Sequence, residues 1–462
     1  MCGVFGIWGH PEAAKITYLG LHALQHRGQE AAGIVSHPGG DLPLSKHAGR
    51  GLVSDVFTAD IFDRLAGSRA IGHVRYSTTG ESTVQNAQPF AVETLRGPLA
   101  ISHNGNFVNH REVRADLERD GAIFTTRSDT ETMVHLLARA RAPRLQDRIR
   151  DAVAQLEGAY SIVMMNRDHV VGIRDPWGFR PLVIGKLQDA YVLVSETCAL
   201  PLIEADFVRE VEPGEIVTID SDGIHSERLV HEPDAKRRPC IFELVYFARP
   251  DSQIFERRVY DCRYALGQQL AKEAPVEADV VIPVPDSGVP SALGFADAAG
   301  IPFRHGLLRS HYIGRTFIEP EQAIRNFGVK LKLSAVRAVL EGRRVVVIDD
   351  SLVRGTTSRK IVGMLKEAGA KEVHVRISCP PTIFPCFYGV NTPTRTELLA
   401  ANQSIAQIRD FIGSESLAYL SEAGLHASVE DHEPDQSFCN ACFTGKYSAG
   451  RAKIVSRLPI AS

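Results

Sequence analysis

The spacing of apolar and polar residues changes character near residue 235. Before this point, strand-like runs and helical stretches follow one another in blocks, separated by turns rich in Gly and His. The predicted strands are residues 4–8, 70–74, 99–102, 160–166 and 191–195, and the predicted helices are residues 13–25, 111–119, 130–141 and 145–156. Blocks without strict alternation predict layered α+β packing.

After residue 235 the order becomes strand, loop, helix. Strands are predicted at residues 279–285, 345–348 and 373–378, with helices at 289–299 and along the stripe Ile361, Val362, Leu365 and Ala368. This alternation predicts a parallel sheet. A helical tail is predicted at 394–413 and 416–422. The polar, proline-bracketed segment 231–239 is the predicted boundary, which gives domains at 2–235 and 255–462 and a linker at 236–254.

The stretch from Val345 to Ser358 carries the clearest candidate site. Its β-branched run predicts a buried strand that ends in Asp349 and Asp350, before a loop of Gly and hydroxyl side chains. Donors at a helix N-terminus suit a phosphate, and ligands of open α/β sheets lie outside the carboxyl ends of the strands. Carboxylates beside a phosphate need sugar hydroxyls or a divalent cation, so we predict a sugar-phosphate site. A Walker B strand or a receiver pocket is the alternative, but the sequence contains no G-x-x-x-x-G-K-[ST].

Composition narrows the class of protein. The chain has 462 residues, a net charge of −3 and no basic block, so nucleic acid is not indicated. No apolar run approaches the roughly eighteen residues of a membrane span, and the N-terminus lacks the basic region of a secretory signal. Eight cysteines in a chain of this length do not predict a disulfide framework. We therefore expect a cytoplasmic enzyme.

Cys2 is a candidate nucleophile, because removal of Met1 would make it the N-terminal residue. Its own α-amine, with an ordinary pKa of about 8, could then take the thiol proton. The same arrangement is known for N-terminal Thr. The alternative is an accidental Cys in a frayed terminus. Residues 2–7 are apolar and punctuated by Gly, which favours an ordered strand.

Other segments supply what hydrolysis of a glutamine amide needs. Arg75 can hold an α-carboxylate with two hydrogen bonds, and Asp129 can pair with an α-ammonium. The Asn104 side chain and the Gly105 N–H could form an oxyanion hole. The alternatives are ordinary ion pairs for the charged residues and a hairpin turn for Asn104-Gly105. The chemistry needs no imidazole, so His26, His73 and His103 are expected to be structural.

These segments, with the turn Gln25-His26-Arg27-Gly28-Gln29-Glu30, resemble those of the class II glutamine amidotransferases in their order along the chain and in their local sequence. The pattern D-D-S-x-x-x-G-T-T at 349–357 resembles the phosphoribosyl pyrophosphate (PRPP) loop of type I phosphoribosyltransferases. The resemblance implies a four-layer α+β N-terminal nucleophile (Ntn) glutaminase domain followed by an α/β phosphoribosyltransferase domain with a parallel sheet. It implies catalytic roles for Cys2, Asn104 and Gly105, and glutamine binding by Arg27, Arg75 and Asp129.

The two segments in one chain, together with 242–252, 315–332 and 438–447, resemble the family of glutamine PRPP amidotransferases. The implied reaction turns glutamine, PRPP and water into 5-phosphoribosylamine, glutamate and pyrophosphate, with internal transfer of ammonia, as the first step of purine synthesis. Feedback inhibition by purine nucleotides, a homotetramer and a lid at 315–332 are also implied. Implied Mg²⁺ contacts are Ser287, Asp349 and Asp350. The full set of implied PRPP-binding residues is Asp286, Ser287, Gly288, Lys330, Asp349, Asp350, Ser351, Arg354, Gly355, Thr356, Thr357 and Ser358.

Cys439 and Cys442 form a C-x-x-C, which by itself fits zinc, an iron–sulfur cluster or a redox pair. The resemblance adds Cys240 and Cys386, because cluster-bearing relatives have cysteine in the same three settings. It implies a structural [4Fe–4S] cluster on these four residues. Such relatives usually carry a short propeptide before the nucleophile, whereas Cys2 here follows Met1 directly. The remaining Cys198, Cys262 and Cys379 are expected to be core residues.

Two other functions fit parts of the pattern. A PRPP-binding or nucleotide-binding regulator without catalysis would share the fold, but the complete set of candidate catalytic residues argues against it. Another class II amidotransferase, with a different acceptor domain, would share Cys2, but the loop at 345–358 argues against it.

Overall fold

Two antiparallel sheets form the first half of the chain, in a computed structural model that describes residues 1–76, 83–229, 237–310, 333–392, 394–429 and 438–450. The strands of the first sheet are β1 (Gly3–Trp8), β2 (Ala31–His37), β3 (Ser45–Arg50), β4 (Arg69–Arg75), β9 (Val183–Leu187), β10 (Ala190–Val194) and β11 (Asp206–Glu210). Those of the second are β5 (Phe90–Thr94), β6 (Gly97–Phe107), β7 (Gly158–Asn166), β8 (Val170–Arg174), β12 (Glu215–Asp220) and β13 (Gly223–Arg228). Their orders are β11-β9-β10-β1-β4-β2-β3 and β13-β12-β8-β7-β6-β5.

Apolar side chains stack these sheets into four layers. Val4 and Ile71 of the first sheet meet Val163 and Ile219 of the second between the sheets. The outer face of the first sheet packs on α1 (Ala13–Ala23), α2 (Val53–Val56) and α3 (Ala59–Phe62). The outer face of the second packs on α4 (His110–Arg119), α5 (Thr130–Arg139) and α6 (Leu145–Val153). The predicted layered α+β half is confirmed, in the helix–sheet–sheet–helix order of the Ntn fold.

The second half is built on a parallel sheet of β16 (Val280–Pro283), β19 (Arg344–Asp349), β20 (Glu372–Ile377) and β21 (Ser416–Tyr419), in that order. The helices of this half are α7 (Val259–Glu273), α8 (Val289–Ala299), α9 (Arg337–Leu340), α10 (Thr356–Glu367), α11 (Leu399–Asn402), α12 (Ile405–Ile412), α13 (Glu422–Val429) and α14 (Ala441–Thr444). Short pairs β14 (Gln253–Ile254) with β15 (Arg257–Arg258), and β17 (Leu307–Arg309) with β18 (Leu333–Ala335), lie beside it. A separate apolar core, including Val281, Val346, Phe295 and Leu365, holds sheet and helices together.

The predicted helix at 416–422 is wrong. Residues Ser416–Tyr419 form β21, which pairs in parallel with β20 through His374↔Ser416 and Val375↔Leu417. Ser, Leu, Ala and Glu allow a helix, but pairing at the sheet edge and burial of Leu417 decide the outcome. The predicted helix at 394–413 is broken, because Ser404 caps a new helix by accepting the Gln407 N–H.

Asn104 and Gly105 do not form a hairpin turn. They lie inside β6, paired with Ser161 and Tyr160 of β7, so the strand predicted at 99–102 extends to Phe107. The predicted lid at 315–332, with Lys330, lies outside the described residues, as do positions 231–236 of the predicted boundary. Among the described residues, no helix is long and apolar enough to cross a membrane.

Candidate active sites

Cys2 lies at the start of β1, where three elements meet. Its backbone N–H donates to Asn104 Oδ1 at 3.3 Å, and its Sγ lies 3.7 Å from the carbonyl oxygen of Tyr76, just after β4. Arg27 Nε donates to the Cys2 carbonyl at 2.9 Å. The terminus is therefore held from three directions, and Cys2 is an ordered residue, as its apolar surroundings predict.

Asn104 presents a buried donor beside Cys2. Its side chain is 0% exposed, and within the described part of the chain Nδ2 has no hydrogen-bond partner. An unpaired buried donor costs about 1–3 kcal/mol, so such an atom calls for an explanation. Because Oδ1 accepts the Cys2 N–H, the Asn104 side chain lies next to Cys2, where an oxyanion that develops during attack by the thiol would need a donor.

Asp129 and Arg75 lie at the same end of the two sheets. Asp129 precedes α5, and its Oδ2 accepts the Phe107 N–H at 2.9 Å, at the end of β6. Arg75 ends β4 and precedes Tyr76. Both side chains are buried, at 7% and 5% exposure. The structure thus brings both residues close to the strand ends that carry Cys2 and Asn104.

The histidines of this half have structural contacts, as expected. His73 is fully buried, with Nε2 3.2 Å from the His103 carbonyl oxygen, and burial lowers the pKa of His73 to about 3. The Nδ1 atom of His103 lies 3.1 Å from Thr130 Oγ1. His26 Nε2 lies 2.8 Å from Glu196 Oε1. The cysteines expected in the core, Cys198, Cys262 and Cys379, are also buried.

Arg27 belongs to a buried cluster of charges between the two halves. Its guanidinium pairs with Glu196, and with Glu243 at 2.8 Å. Arg180 also donates to Glu243, at 3.1 Å. A bond from Arg27 to the α-carboxylate of glutamine would have to replace one of these contacts. The structure therefore favours Arg27 as a support of the Cys2 backbone.

Glu196 also belongs to the tightest group of metal-ligating side chains among the described residues, with His26 and Cys198. Its oxygens accept from Arg27, from the Arg249 N–H at 2.9 Å and from Ser252 Oγ at 2.7 Å. A cation there would face the Arg27 guanidinium and compete for occupied oxygens. We therefore interpret this group as part of the charge cluster between the two halves.

The two carboxylates after β19 lie in a second site. Asp350 Oδ2 accepts from Ser287 Oγ at 2.5 Å, and Oδ1 accepts from Ser351 Oγ at 2.6 Å. The Asp350 N–H donates to Asp349 Oδ1 at 2.9 Å. Burial raises the pKa of both carboxyl groups, and the neighbouring charge of Asp350 raises that of Asp349 further. A divalent cation or sugar hydroxyls would relieve this repulsion.

A loop of donors continues from these carboxylates into α10. Gly355 precedes this helix with φ +70, and an added Cβ there would lie 2.6 Å from Leu399 Cδ2. The positive φ favours glycine here, and an added Cβ would also press on the Leu399 side chain. Thr356, Thr357 and Ser358 form the first turn, whose free N–H groups suit a phosphate. Arg354, at the loop tip, pairs with Glu397 at 3.0 Å.

The loop after β16, with Asp286, Ser287 and Gly288 of the implied PRPP-binding set, lies beside the carboxylate loop, because β16 and β19 are parallel neighbours. A Cβ added at Gly288 would lie 2.7 Å from the Ile348 carbonyl oxygen, which shows how closely the loops pack. Asp286 pairs with Arg309 of β17 at 2.7 Å. Sequence reasoning missed Arg309, because a lone Arg in a three-residue strand carries no pattern.

Four cysteines from three chain segments border one space. Cys240 and Cys439 are paired by a parallel bridge, and all eight cysteines are free thiols. Burial raises the pKa of Cys240 to about 11 and raises those of Cys439 and Cys442. Cys386 accepts the Tyr388 N–H at 3.3 Å. Buried thiols become thiolates readily only when bound to a metal, so this donor set fits a Cys₄ metal site.

One cavity of about 1130 Å³ extends from the carboxylates after β19 towards the N-terminus. Asp349 and Asp350 line it, and so do Met1, Arg27 and Tyr76, which are neighbours of Cys2. Tyr246 also lines the cavity, and burial, with the charge of Asp350, raises the pKa of its hydroxyl to about 12. Three lining residues of this cavity were missed by sequence reasoning, namely Tyr76, Tyr246 and Arg263, and so was Glu243 of the neighbouring charge cluster. They carry no local motif, and only the resemblance at 242–252 pointed to part of them.

Comparison with known proteins assigns a family to each half. A glutamine amidotransferase domain model matches residues 73–201, and a phosphoribosyl transferase domain model matches residues 252–381. A chloroplastic amidophosphoribosyltransferase of Glycine max is 56% identical over 96% of this chain and 78% of its own. The amidophosphoribosyltransferase of Bacillus subtilis is 50% identical over 96% of this chain and 94% of its own.

Solved structures agree over the whole chain. A glutamine PRPP amidotransferase from B. subtilis, complexed with ADP and GMP, is 49% identical with a TM-score of 0.91, covering 97% of this chain and 98% of that one. A structure described as the allosteric regulatory enzyme of purine biosynthesis is 48% identical with a TM-score of 0.92, covering 98% and 99%.

Proposed function

The chain belongs to the amidophosphoribosyltransferase family, and on this premise we propose which of its residues carry out each step of the reaction. It is an enzyme of purine biosynthesis that combines a glutamine amidotransferase and a phosphoribosyltransferase. Glutamine, PRPP and water give 5-phosphoribosylamine, glutamate and pyrophosphate.

Cys2 is the proposed nucleophile of the first half-reaction. The α-amine freed by loss of Met1 takes the thiol proton, and Sγ attacks the amide carbon of glutamine. The ordinary pKa of an α-amine, about 8, leaves a part of it neutral near neutral pH, and this neutral form can act as the base. Ammonia leaves, and water then hydrolyses the thioester to glutamate.

Asn104 Nδ2 and the Gly105 N–H are the proposed donors to the tetrahedral oxyanion. The single observation that best supports this proposal is that Asn104 Nδ2 is buried without a partner among the described residues, while Oδ1 of the same side chain accepts the Cys2 N–H. Arg75 and Asp129 are proposed to bind the α-carboxylate and the α-ammonium of glutamine. Arg27, which donates to the Cys2 carbonyl oxygen, is proposed to act on glutamine indirectly, by holding the Cys2 backbone.

The second half-reaction is proposed at the carboxyl ends of β16 and β19. The first turn of α10, with Ser351, Arg354 and Gly355, binds the 5-phosphate. Asp286, Ser287 and Gly288 bind the pyrophosphate, as does Lys330 of the predicted lid. Asp349 and Asp350 hold the ribose hydroxyls. Ammonia reaches C1 through the shared cavity, past Tyr76 and Tyr246.

Two cofactors fit the donors of this chain. The Ser287 hydroxyl and the carboxyl groups of Asp349 and Asp350, whose pKa is raised, are hard oxygen donors. They would hold Mg²⁺, which would supply positive charge to neutralise the departing pyrophosphate. Cys240, Cys386, Cys439 and Cys442 would hold a [4Fe–4S] cluster that ties the linker to the C-terminal segment. Anaerobically purified protein should contain iron and acid-labile sulfide. Zinc in their place, or an active protein without metal, would contradict the cluster.

One assay tests the division of labour. Glutamate and pyrophosphate release are measured with glutamine plus PRPP, and pyrophosphate release is measured with ammonia plus PRPP. Cys2→Ala should abolish glutamate release and keep the ammonia-dependent reaction, while the control Cys262→Ala, in the core, should keep both. Loss of both reactions in a folded Cys2→Ala protein would contradict the assignment.

Assembly, regulation and location are proposed from the family. A homotetramer should appear in sedimentation at the mass of four chains. The B. subtilis relative is complexed with ADP and GMP, so we propose that purine nucleotides inhibit this enzyme, which an assay with added GMP and ADP tests. The free thiols support a reducing cytoplasm, which cell fractionation tests. The division at 2–235, 236–254 and 255–462 is supported by a separate core on each side, and limited proteolysis within 230–239 tests it.

A further inference from the structure

A loop of the phosphoribosyltransferase half, residues 386–389, lies directly against the oxyanion strand of the glutaminase half. Asn106, the residue after Gly105 on β6, donates from Nδ2 to the Phe387 carbonyl oxygen at 2.9 Å. Arg180 donates to the Tyr388 carbonyl oxygen from Nε at 2.9 Å and from Nη2 at 2.6 Å. Two carbonyl groups of the loop backbone thus accept hydrogen bonds from side chains of the glutaminase half.

The closest approach joins Gly389 and Gly105. Gly389 has φ +96, and an added Cβ would lie 2.8 Å from the Gly105 carbonyl carbon and 2.9 Å from its Cα and oxygen. On its other side, a Cβ added at Gly105 would lie 2.0 Å from the Ala159 carbonyl oxygen of β7. Gly105 is thus confined between β7 and the loop, with no room for a side chain on either backbone.

The loop itself is fixed in place. The ring of Tyr388 is 2% exposed and stacks on Phe179, with centroids 4.2 Å apart. The Tyr388 hydroxyl donates to the Ala449 carbonyl oxygen at 2.8 Å and accepts the Ala449 N–H at 2.9 Å. The Cys386 N–H donates to Thr392 Oγ1 at 2.6 Å. A loop held in this way can restrain what it touches.

We propose that loop 386–389 is a positioning element of the oxyanion hole, which holds the Gly105 peptide in the orientation that glutamine hydrolysis needs. The inference rests on the proposed role of Gly105. Oxyanion donors act only at the correct distance from the developing charge, so a small displacement of the peptide lowers the rate without removing any catalytic group. Glutamine hydrolysis then depends on a backbone contact from the other half of the chain.

Gly389→Ala in the full-length protein tests the contact. The added methyl group must displace Gly105, and we expect kcat for glutamine hydrolysis to fall about 10–100-fold. This fall is no larger than the fall in kcat that follows removal of a complete oxyanion donor. The KM for glutamine should change less than about twofold, because the contacts of Arg75 and Asp129 remain. The ammonia-dependent reaction should be unchanged. Gly121→Ala is the matched control, since Gly121 has φ +87 and no described atom lies within 4 Å of an added Cβ.

Inhibition by glutamate γ-semialdehyde separates positioning from general damage. The Cys2 sulfur adds to the aldehyde carbon, the thiol proton passes to the α-amine, and the carbonyl electron pair moves to an oxygen that lies in the oxyanion hole. Its inhibition constant should rise by the same factor by which kcat falls. The inhibition constant of glutamate, which develops no such charge, should stay the same.

Several results would overturn the proposal. These are an unchanged kcat for glutamine in Gly389→Ala, an equal loss of ammonia-dependent activity, or a parallel rise of both inhibition constants. If Gly389→Ala does not fold, Tyr388→Phe decides, because it loosens the loop without a clash at Gly105. It should lower kcat for glutamine about two- to fivefold, and an unchanged kcat contradicts the proposal. Failure of the family function would instead appear in the wild-type protein, as absent glutamine-dependent pyrophosphate release.

Discussion

Replacement of Asn104 by Ala should separate catalysis from stability in this enzyme. The variant removes Nδ2, the proposed oxyanion donor, together with the Oδ1 acceptor of the Cys2 N–H. Loss of one oxyanion donor lowers kcat by about 100- to 1,000-fold, which is about 3–4 kcal/mol of transition-state stabilisation. Glutamate release should therefore fall by about this factor.

The effect on folding should be small, because two contributions oppose each other. Nδ2 is buried without a partner, so its removal relieves a desolvation penalty of about 1–3 kcal/mol. The lost contact with Cys2, at 3.3 Å, and the small cavity left behind cost a comparable amount. We expect the free energy of unfolding to change by less than about 1.5 kcal/mol while kcat collapses.

The assay compares glutamate release with ammonia-dependent pyrophosphate release in the same preparation. Asn104→Asp serves as the matched variant, because it keeps size and acceptors but replaces the donor by an oxygen that repels the oxyanion. It should be at least as inactive as Asn104→Ala. A loss of less than about tenfold in Asn104→Ala, or an equal loss of the ammonia-dependent reaction, would refute the oxyanion role.

Three further predictions concern pH and the PRPP loop. The pKa of Asp349 is raised in the folded protein, which therefore binds more protons than the unfolded chain. Without Mg²⁺, the free energy of unfolding should fall as pH rises above about 4, and denaturant titrations should show a flatter dependence for Asp349→Asn. Burial lowers the pKa of His73 to about 3, so below about pH 6.5 the unfolded chain takes up a proton that the folded protein does not, and the free energy of unfolding should fall. His73→Gln removes this proton uptake and should shift acid unfolding to lower pH. Gly355→Ala should raise KM for PRPP by at least about tenfold, because the added Cβ strains the positive φ and overlaps Leu399. The control Gly363→Ala, in open space within α10, should keep KM and raise the free energy of unfolding by up to about 1 kcal/mol. Equal KM values for the two variants would contradict the role of Gly355.

The sequence predicts the elements with a strong period and misses those decided by tertiary contacts. The strand before Asp349 carries its own signal in consecutive β-branched residues, and helix Val289–Ala299 has the predicted bounds. By contrast, β21 has a composition that allows a helix and becomes a strand only because β20 offers a free edge. The dipeptide Asn104-Gly105 is typical of hairpin turns, but its pairing with β7 keeps it in a strand.

The charge cluster between the halves shows the same limit for the sites. Cys2 and Asp350 carry readable local motifs, so their chemistry could be predicted from the chain. Arg27 is separated by 169 residues from Glu196 and by 216 residues from Glu243 along the chain. No local pattern in the sequence marks these residues as partners. Their complete burial requires pairing, because a lone buried charge would cost several kcal/mol, but only the folded chain shows which residues pair.

The cavity lined by Asp349 and Asp350 reaches Met1 and Tyr76 beside Cys2, and nitrogen is proposed to pass through it from Cys2 to the carboxylates after β19. Amide-¹⁵N glutamine and PRPP are incubated with unlabelled ammonium, at a concentration that alone supports only a small part of the glutamine-dependent rate. The nitrogen of 5-phosphoribosylamine is then analysed by mass spectrometry after trapping. We expect a product that is labelled almost completely. Dilution of the label in proportion to the ammonium in solution would show that the nitrogen passes through the solvent instead.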